Sequence, residues 1–203
     1  MNQTLTLDRV ATDELDAINL TVASGHIVCL SGFSGSGKSR LLRAVADLDP
    51  HDGEVRLGNT PAHSLMADAW RRRVMLVPAE SRWWHDTVGE HCGALRESDL
   101  TALGFEASVH QWPVSRLSSG EKQRLALYRA LSLDPGALLL DEPTANLDEA
   151  TRERVEQWLV RRIHDEGLPT LWVAHDPNQI ARVGDSHYHI NGRQLEEVPH
   201  GAD

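Results

Sequence analysis

Residues 32–39 read Gly32-Phe33-Ser34-Gly35-Ser36-Gly37-Lys38-Ser39, with the spacing glycine, four residues, Gly-Lys-Ser. This spacing is typical of a phosphate-binding loop of the Walker A type. Its glycines let successive backbone N–H groups point inward at the start of a helix, which creates a site for an anion. In such a loop we expect Lys38 to reach the β- and γ-phosphates of a nucleotide and the Ser39 hydroxyl to coordinate Mg²⁺.

The segments on either side of this loop distinguish a nucleotide site from an ordinary glycine-rich turn. Residues 26–31 form a short apolar run with β-branched side chains, which predicts a buried parallel strand. After the loop, apolar residues recur at helical spacing, at Leu41, Leu42, Val45 and Leu48. Strand, loop and helix therefore follow in the order that a phosphate-binding loop requires.

Length and composition narrow the class of protein. A chain of 203 residues predicts one domain with a core of its own. Its net charge of −10 argues against nonspecific binding to nucleic acid and against adhesion to an anionic membrane. Of two cysteines, Cys29 lies in the predicted strand and is expected to be a small core residue, as suits a reducing cytoplasm. We predict neither a signal peptide nor a membrane span, so a membrane role would require another chain.

The N-terminal part predicts a small antiparallel sheet beside the loop. Apolar and polar residues alternate in residues 5–7 and 18–22, as on strands with one buried face. Residues 54–57 form a further short strand, and Asp52-Gly53 before it is a turn signal.

Strands and helices alternate through the rest of the chain. We predict strands at residues 74–77, 137–140 and 170–174, and helices at residues 121–133 and 149–165. This order favours an α/β fold with a mostly parallel sheet, and the family resemblance described below implies that it is of the P-loop NTPase (RecA-like) type. Residues 81–133 lack strand character, and we interpret them as a short helical subdomain inserted into a single domain. The core of that domain is predicted at about residues 1–80 and 134–203.

Two carboxylates end the strand predicted at residues 137–140. Asp141 and Glu142 follow three leucines, at the sheet edge that should face the phosphates. Asp141 suits Mg²⁺, and Glu142 is placed to polarise an attacking water as a general base. Solvated turn residues are the alternative interpretation, which the nearby phosphate-binding loop disfavours.

Three further stretches carry a resemblance to a known family. Residues 117–124 read Leu-Ser-Ser-Gly-Glu-Lys-Gln-Arg, in which Ser118 and Glu121 form a helix capping box. This stretch resembles the signature motif of the ATP-binding cassette (ABC) ATPases. Residues 142–148 resemble Walker B running into the D-loop of that family, and residues 172–176 resemble its switch-histidine segment. The resemblance covers nearly the whole chain and extends to compact bacterial cassettes that pair with small permeases.

The resemblance implies a function that one copy cannot complete. Two cassettes would pair head to tail around two ATP molecules and drive a separately encoded permease on the cytoplasmic face of the inner membrane. Ser118, Ser119 and Gly120 would meet the γ-phosphate held by the partner, with Asp148 at the dimer interface. His175 would contact the γ-phosphate bound by its own chain. The alternatives are a soluble cassette that acts on ribosomes or DNA-repair complexes, and a regulatory cassette with poor hydrolysis.

Three features depart from the family pattern. Ala79 occupies the expected position of the Q-loop glutamine, with Glu80 as a potential substitute. Ser119 replaces the first glycine of the signature, and its Cβ is expected to weaken closure on a phosphate. Residues 11–16 contain no aromatic residue to stack on adenine, so Val10 or Leu15 is expected to supply an apolar contact, and selectivity for ATP over GTP is left open.

Two further clusters admit a structural and a functional interpretation. Trp83 and Trp84 follow the Q-loop position, where they either anchor the permease or pack within the helical subdomain. His187 and His189 share one face of a strand and could bind a metal together, although exposed edge residues are the simpler prediction.

Overall fold

A computed structural model describes residues 3–94 and 96–199. The strands in these residues are β1 (Leu5–Ala11), β2 (Ile18–Val22), β3 (Ile27–Gly32), β4 (Asp52–Leu57), β5 (Thr60–Pro61), β6 (Val74–Val77), β7 (Ala137–Asp141), β8 (Thr170–Val173), β9 (Ser186–Asn191) and β10 (Gln194–Val198). The α-helices are α1 (Lys38–Val45), α2 (Ala67–Arg73), α3 (Glu97–Ala102), α4 (Ser119–Ser132), α5 (Glu149–Glu166) and α6 (Pro177–Val183).

The main sheet has six strands in the order β10-β9-β3-β8-β7-β6. The five strands from β9 to β6 are parallel, and β10 pairs antiparallel with β9. The central strands β3, β7 and β8 are buried along nearly their whole length, which explains why they are continuously apolar instead of alternating. The predicted α/β fold with a mostly parallel sheet is confirmed.

The predicted small antiparallel sheet is also present, with the order β2-β1-β4-β5. The prediction of a turn at Asp52-Gly53 was wrong, because both residues belong to β4. The register of β1 against β4 shifts between Asp8 and Ala11, which forms a bulge at Arg9, whose φ is 50°. Gly53 faces this bulge with a φ of 81°, and a Cβ there would lie 2.3 Å from the Arg9 carbonyl oxygen. The glycine therefore permits a close approach of two strands, not a chain reversal.

Capping residues set the ends of the functional helices. Ser118 caps α4 with the predicted capping box, so this helix begins at Ser119, two residues earlier than the apolar pattern indicated. Helix α1 ends at Val45, so the prediction that Leu48 belongs to its buried face was wrong. Leu48 lies beyond the helix and is exposed. Cys29 is fully buried in β3, as predicted, and both cysteines are free.

Residues 81–133 contain short 3₁₀ turns together with α3 and α4. Helix α3 is fixed to α5 by a buried carboxylate, Asp99. Its Oδ1 accepts a hydrogen bond of 3.0 Å from the indole Nε1 of Trp158, and its Oδ2 pairs with Arg162. The Arg162 guanidinium also contacts Glu166 on the same helix. This network ties the inserted helical segment to the helix that follows the D-loop.

We predict that Asp99→Ala lowers the free energy of unfolding by about 2 kcal/mol, because the partly buried Arg162 guanidinium loses one of its two carboxylates and the Trp158 indole N–H loses its acceptor. Urea unfolding of the purified chain measures this quantity. Asp99→Asn is the matched control, since its amide oxygen still accepts from Trp158, and its loss should be smaller. A change below about 0.5 kcal/mol for Asp99→Ala would contradict the role given to this network.

None of the helices in the described ranges combines the length and the apolar character needed to cross a bilayer.

Candidate functional site

The predicted phosphate-binding loop lies between β3 and α1, at the carboxyl edge of the main sheet. It forms one side of a cavity of about 320 Å³. The cavity is lined by Glu14, Ser34, Gly35, Ser36, Gly37, Lys38, Ser39, Arg40, Glu142 and His175. The loop, the Walker B glutamate and the switch histidine, predicted from three distant stretches, therefore meet at one place.

The Lys38 side chain lies over the loop and stabilises its conformation. Its Nζ donates hydrogen bonds of 2.8 Å to the carbonyl oxygens of Gly32 and Phe33. Burial lowers the Lys38 pKa, while the negative charges of Glu142 and Asp141 oppose that shift. Gly37 precedes the helix with a φ of 95°, and a Cβ there would lie 3.1 Å from the Glu14 Cβ. This position therefore requires a residue without a side chain.

Ser39 and Asp141, the two residues predicted to bind Mg²⁺, meet beside the loop. The Ser39 hydroxyl hydrogen-bonds to the Asp141 carboxylate, which ends β7. Burial raises the Asp141 pKa, and the hydrogen bond from Ser39 acts in the opposite direction. A hydroxyl and a carboxylate are hard oxygen ligands of the kind Mg²⁺ prefers, so this pair fits the predicted ion.

Glu142 and His175 form a direct pair, with 2.8 Å between Oε1 and Nε2. Glu142 has a φ of 48°, a left-handed conformation that is uncommon for a residue with a side chain. Two side chains support this turn. Gln123 on α4 donates to the Glu142 carbonyl oxygen at 3.2 Å, and Asn146 donates to the Gln123 Oε1 at 3.1 Å. Sequence reasoning missed Gln123 and Asn146, although both lie inside the quoted motif stretches.

The signature residues lie apart from this cavity in the same chain. None of Ser118, Ser119 and Gly120 is among the described residues that line it. Ser118 is occupied as a cap, since its Oγ accepts from the Glu121 backbone N–H at 3.2 Å and its own N–H donates to the Glu121 carboxylate at 2.8 Å. Ser119 is exposed at the start of α4. This geometry leaves the N-terminal end of α4 available to a second molecule.

Asp148 caps α5, a role that sequence reasoning did not assign to it. Its Oδ1 accepts a hydrogen bond of 3.0 Å from the Thr151 backbone N–H. Hydrogen bonds with Thr151 lower the Asp148 pKa, so its carboxylate stays ionised at the helix N-terminus. The Asp148 side chain is exposed. Its role at the dimer interface stays a prediction.

The Q-loop region faces a second cavity of about 250 Å³. Ala79 and Glu80 line it together with Ser119, Lys122 and Gln123 at the start of α4. Neither Ala79 nor Glu80 is among the described residues that line the phosphate cavity. Glu80 therefore lies at the cavity beside the start of the signature helix and not at the phosphate cavity.

The expected apolar contact for adenine was wrong. Val10 and Leu15 are fully buried in the core beneath the antiparallel sheet, so neither side chain can meet a base. Glu14 and Arg40 line the cavity instead. Glu14 could have been identified from the sequence, because it is a charged residue in the segment where an aromatic residue was expected. It also stands next to Leu15, an apolar residue that suits the core.

The adjacent tryptophans differ in burial. Trp83 packs against the core of the helical segment, and Trp84 is 67% exposed. His91 lies under both rings, with centroid distances of 4.9 Å to Trp83 and 4.7 Å to Trp84. Its Nε2 accepts from the backbone N–H groups of Trp84 and His85. His91 thereby holds the loop that presents Trp84 to the surface.

The prediction that His187 and His189 are exposed edge residues was wrong. They lie on β9, between β10 and β3, and both are partly buried. The Ser31 Oγ is 2.7 Å from the His187 Nε2 and 2.9 Å from the His189 Nδ1. Within residues 3–94 and 96–199, no group of three or more His, Cys, Asp or Glu side chains is arranged to hold a metal ion.

A phosphate-binding loop, the Walker B glutamate and a switch histidine around one cavity define a P-loop nucleotide-binding ATPase domain. The sequence model of the family described as "ABC transporter" matches residues 15–145. The chain belongs to this family, as an ATP-binding subunit.

Two curated relatives and one solved structure illustrate the similarity. The chain is 36% identical to the aliphatic sulfonates import ATP-binding protein SsuB of Escherichia coli K12, over 84% of this chain and 69% of that protein. It is 38% identical to SsuB 1 of Pseudomonas fluorescens Pf-5, over 91% of this chain and 71% of that protein. The fold matches a bacterial Atm1-family ABC exporter with ATP bound, with a TM-score of 0.82 and 25% identity over 98% of this chain. The chain spans 39% of that exporter chain.

Proposed function

We propose that this chain is a Mg²⁺-dependent ATPase that closes as a head-to-tail dimer on two ATP molecules and drives a separately encoded permease at the cytoplasmic face of the membrane. One observation carries the proposal. Lys38, Ser39 and the Glu142–His175 pair line a single cavity at the end of the parallel sheet, and Asp141 is bonded to Ser39 beside it. The family membership supports ATP binding and a permease partner.

Each side chain has a distinct task in the proposed reaction. The Lys38 ammonium neutralises the β- and γ-phosphates, and Ser39 with Asp141 would hold Mg²⁺, which supplies charge neutralisation of the phosphate oxygens. The Glu142 carboxylate accepts a proton from the attacking water. His175, bonded to Glu142 in this structure, orients that carboxylate and can donate toward the γ-phosphate.

The second copy completes the site in this proposal. At the N-terminal end of α4, next to the capping residue Ser118, the Ser119 hydroxyl and the backbone N–H groups of Ser119 and Gly120 are the donors on offer, and a helix start favours an anion. These residues would contact the γ-phosphate held by the partner. Loss of that phosphate on hydrolysis removes the contact, so the dimer opens and the permease changes conformation. Selection of the transported substrate belongs to the permease.

Affinity capture of the full chain carrying Glu142→Gln, in ATP and Mg²⁺, tests this function. Blocked hydrolysis should keep the closed dimer and its permease together, so a polytopic membrane protein is expected in near-stoichiometric amount. Capture in EDTA is the matched control and should lose the dimer. Recovery of ribosomes, DNA-repair proteins or the cassette alone would contradict the transporter role.

We further propose that Trp84 contacts the permease, since it is the exposed member of the aromatic pair and lies next to the Q-loop. Buried tryptophans at interfaces commonly contribute 2 kcal/mol or more to binding. Trp84→Ala should therefore weaken capture of the permease about 30-fold in affinity, while ATP turnover of the isolated chain stays unchanged. Met66→Ala is the matched control, because Met66 is also exposed and lies outside residues 81–133. Undiminished capture by Trp84→Ala would exclude this contact.

A further inference from the structure

The nucleoside end of the cavity lacks an aromatic platform. No phenylalanine, tyrosine or tryptophan is among the described residues that line the cavity. The two apolar candidates in the β1–β2 segment, Val10 and Leu15, are fully buried. The side chains that this chain offers to a nucleoside in the cavity are polar, and the one that the β1–β2 segment contributes is Glu14.

A tight turn holds Glu14 against the phosphate-binding loop. The Thr12 Oγ1 accepts hydrogen bonds from the backbone N–H groups of Glu14 and Leu15, at 3.3 Å and 3.2 Å. Leu15 anchors this turn in the core, so the neighbouring Glu14 side chain projects toward the start of α1. Its Cβ lies 3.1 Å from the point where a Cβ on Gly37 would be. Glu14 therefore lies directly beside the loop that receives the phosphates.

The Glu14 carboxylate has one paired and one unpaired oxygen. Oε1 lies 3.3 Å from the Nη2 of Arg40, which also lines the cavity. Oε2 is removed from solvent and has no hydrogen-bond donor within the described part of the chain. A buried acceptor without a donor is costly, so the carboxylate is stabilised if it turns this oxygen toward a donor in the cavity. The positive charge of Arg40 offsets the negative charge of the Glu14 carboxylate. This carboxylate can therefore lie beside a site for phosphates.

We infer that the Glu14 carboxylate accepts a hydrogen bond from the ribose hydroxyls of the bound nucleotide, with Arg40 as its positioning residue. The ribose is the group that follows the α-phosphate, and it carries two O–H donors for an acceptor-only carboxylate. The base lies one group further from the loop. Carboxylates bind ribose hydroxyls in the same manner in dinucleotide-binding folds. This inference rests on the proposed ATPase function and specifies how the same site recognises its substrate.

Binding of sugar-modified nucleotides tests the inference directly. Calorimetry on the full chain carrying Glu142→Gln, which keeps the nucleotide intact, compares ATP with 2′,3′-dideoxy-ATP and GTP. We expect ATP to bind about tenfold more tightly than dideoxy-ATP, because a hydrogen bond to a charged group contributes that much. Adding Glu14→Ala should bring this ratio close to one and leave the ATP:GTP ratio unchanged.

Three further variants separate positioning from general damage. Arg40→Ala should also lose the ribose discrimination, whereas Arg40→Lys should recover part of it. Glu153→Ala, an exposed acidic residue on α5, is the matched control and should retain the full ratio.

Two results would overturn the inference: a tenfold ratio that survives Glu14→Ala, or a change in the ATP:GTP ratio with the ribose ratio intact, which would assign the carboxylate to the base. Absence of any Lys38-dependent ATP binding would instead overturn the proposed function itself.

Discussion

Glu142→Gln is expected to lower steady-state ATP hydrolysis by about 10³-fold, within the range that a general base contributes. Glutamine keeps the size of the side chain and can still bond to His175, but its amide oxygen is too weak a base to accept a proton from water. The Glu142 carbonyl would keep its hydrogen bond from Gln123, so the left-handed turn at this residue should persist. The change therefore removes the proton acceptor and retains the site.

Phosphate release by the purified chain, at saturating ATP and Mg²⁺, measures this effect. ATP affinity is the internal control and should stay within about twofold of the wild-type value, since Glu142 acts on the water. Gln123→Ala is the complementary variant, because it removes support from the Glu142 backbone without touching the carboxylate. We expect from it a smaller loss of turnover, of about tenfold. Equal turnover by Glu142→Gln and the wild type would refute the assignment of the base.

The sequence was sufficient to predict the framework of this molecule because its signals are local. Apolar runs predicted the central strands, and β7 and β8 appear within one residue of the predicted bounds. The Ser118 capping box predicted the start of α4, and the spacing of residues 32–39 predicted the loop. Such features depend on residues close together in the chain, so they can be predicted from a single sequence.

The errors concern contacts between distant residues. Gly53 resembles a turn residue, but it serves a bulge against Arg9, some forty positions away in sequence. His187 and His189 seemed to belong to an edge strand, and the antiparallel addition of β10 places them inside the sheet. Leu15 was expected to face the nucleotide, yet the pairing of β1 with β2 buries it and projects Glu14. Register and strand order decide these cases, and no periodicity encodes them.

Lys38→Ala is expected to weaken ATP binding about 100-fold, with a smaller effect on the stability of the chain without nucleotide. The ammonium is buried, with its Nζ bonded to the carbonyl oxygens of Gly32 and Phe33. Removing it relieves a desolvated charge and loses two hydrogen bonds, and these two changes oppose each other. The binding of ATP has no such compensation. Without the ammonium, the bound triphosphate loses charge-assisted hydrogen bonds that contribute about 1.5–3 kcal/mol each.

Thermal unfolding with and without ATP separates these two effects. At an ATP concentration of 100 times the wild-type dissociation constant, linkage predicts about 2.7 kcal/mol of stabilisation. A 100-fold weaker variant at the same concentration gains only about 0.4 kcal/mol, so its melting temperature should hardly respond to ATP. Lys38→Arg tests whether charge alone suffices, and we expect little recovery, because the wider guanidinium cannot occupy the space between two loop carbonyls. A full ATP-induced shift in Lys38→Ala would mean that the nucleotide is held by the loop N–H groups without the ammonium.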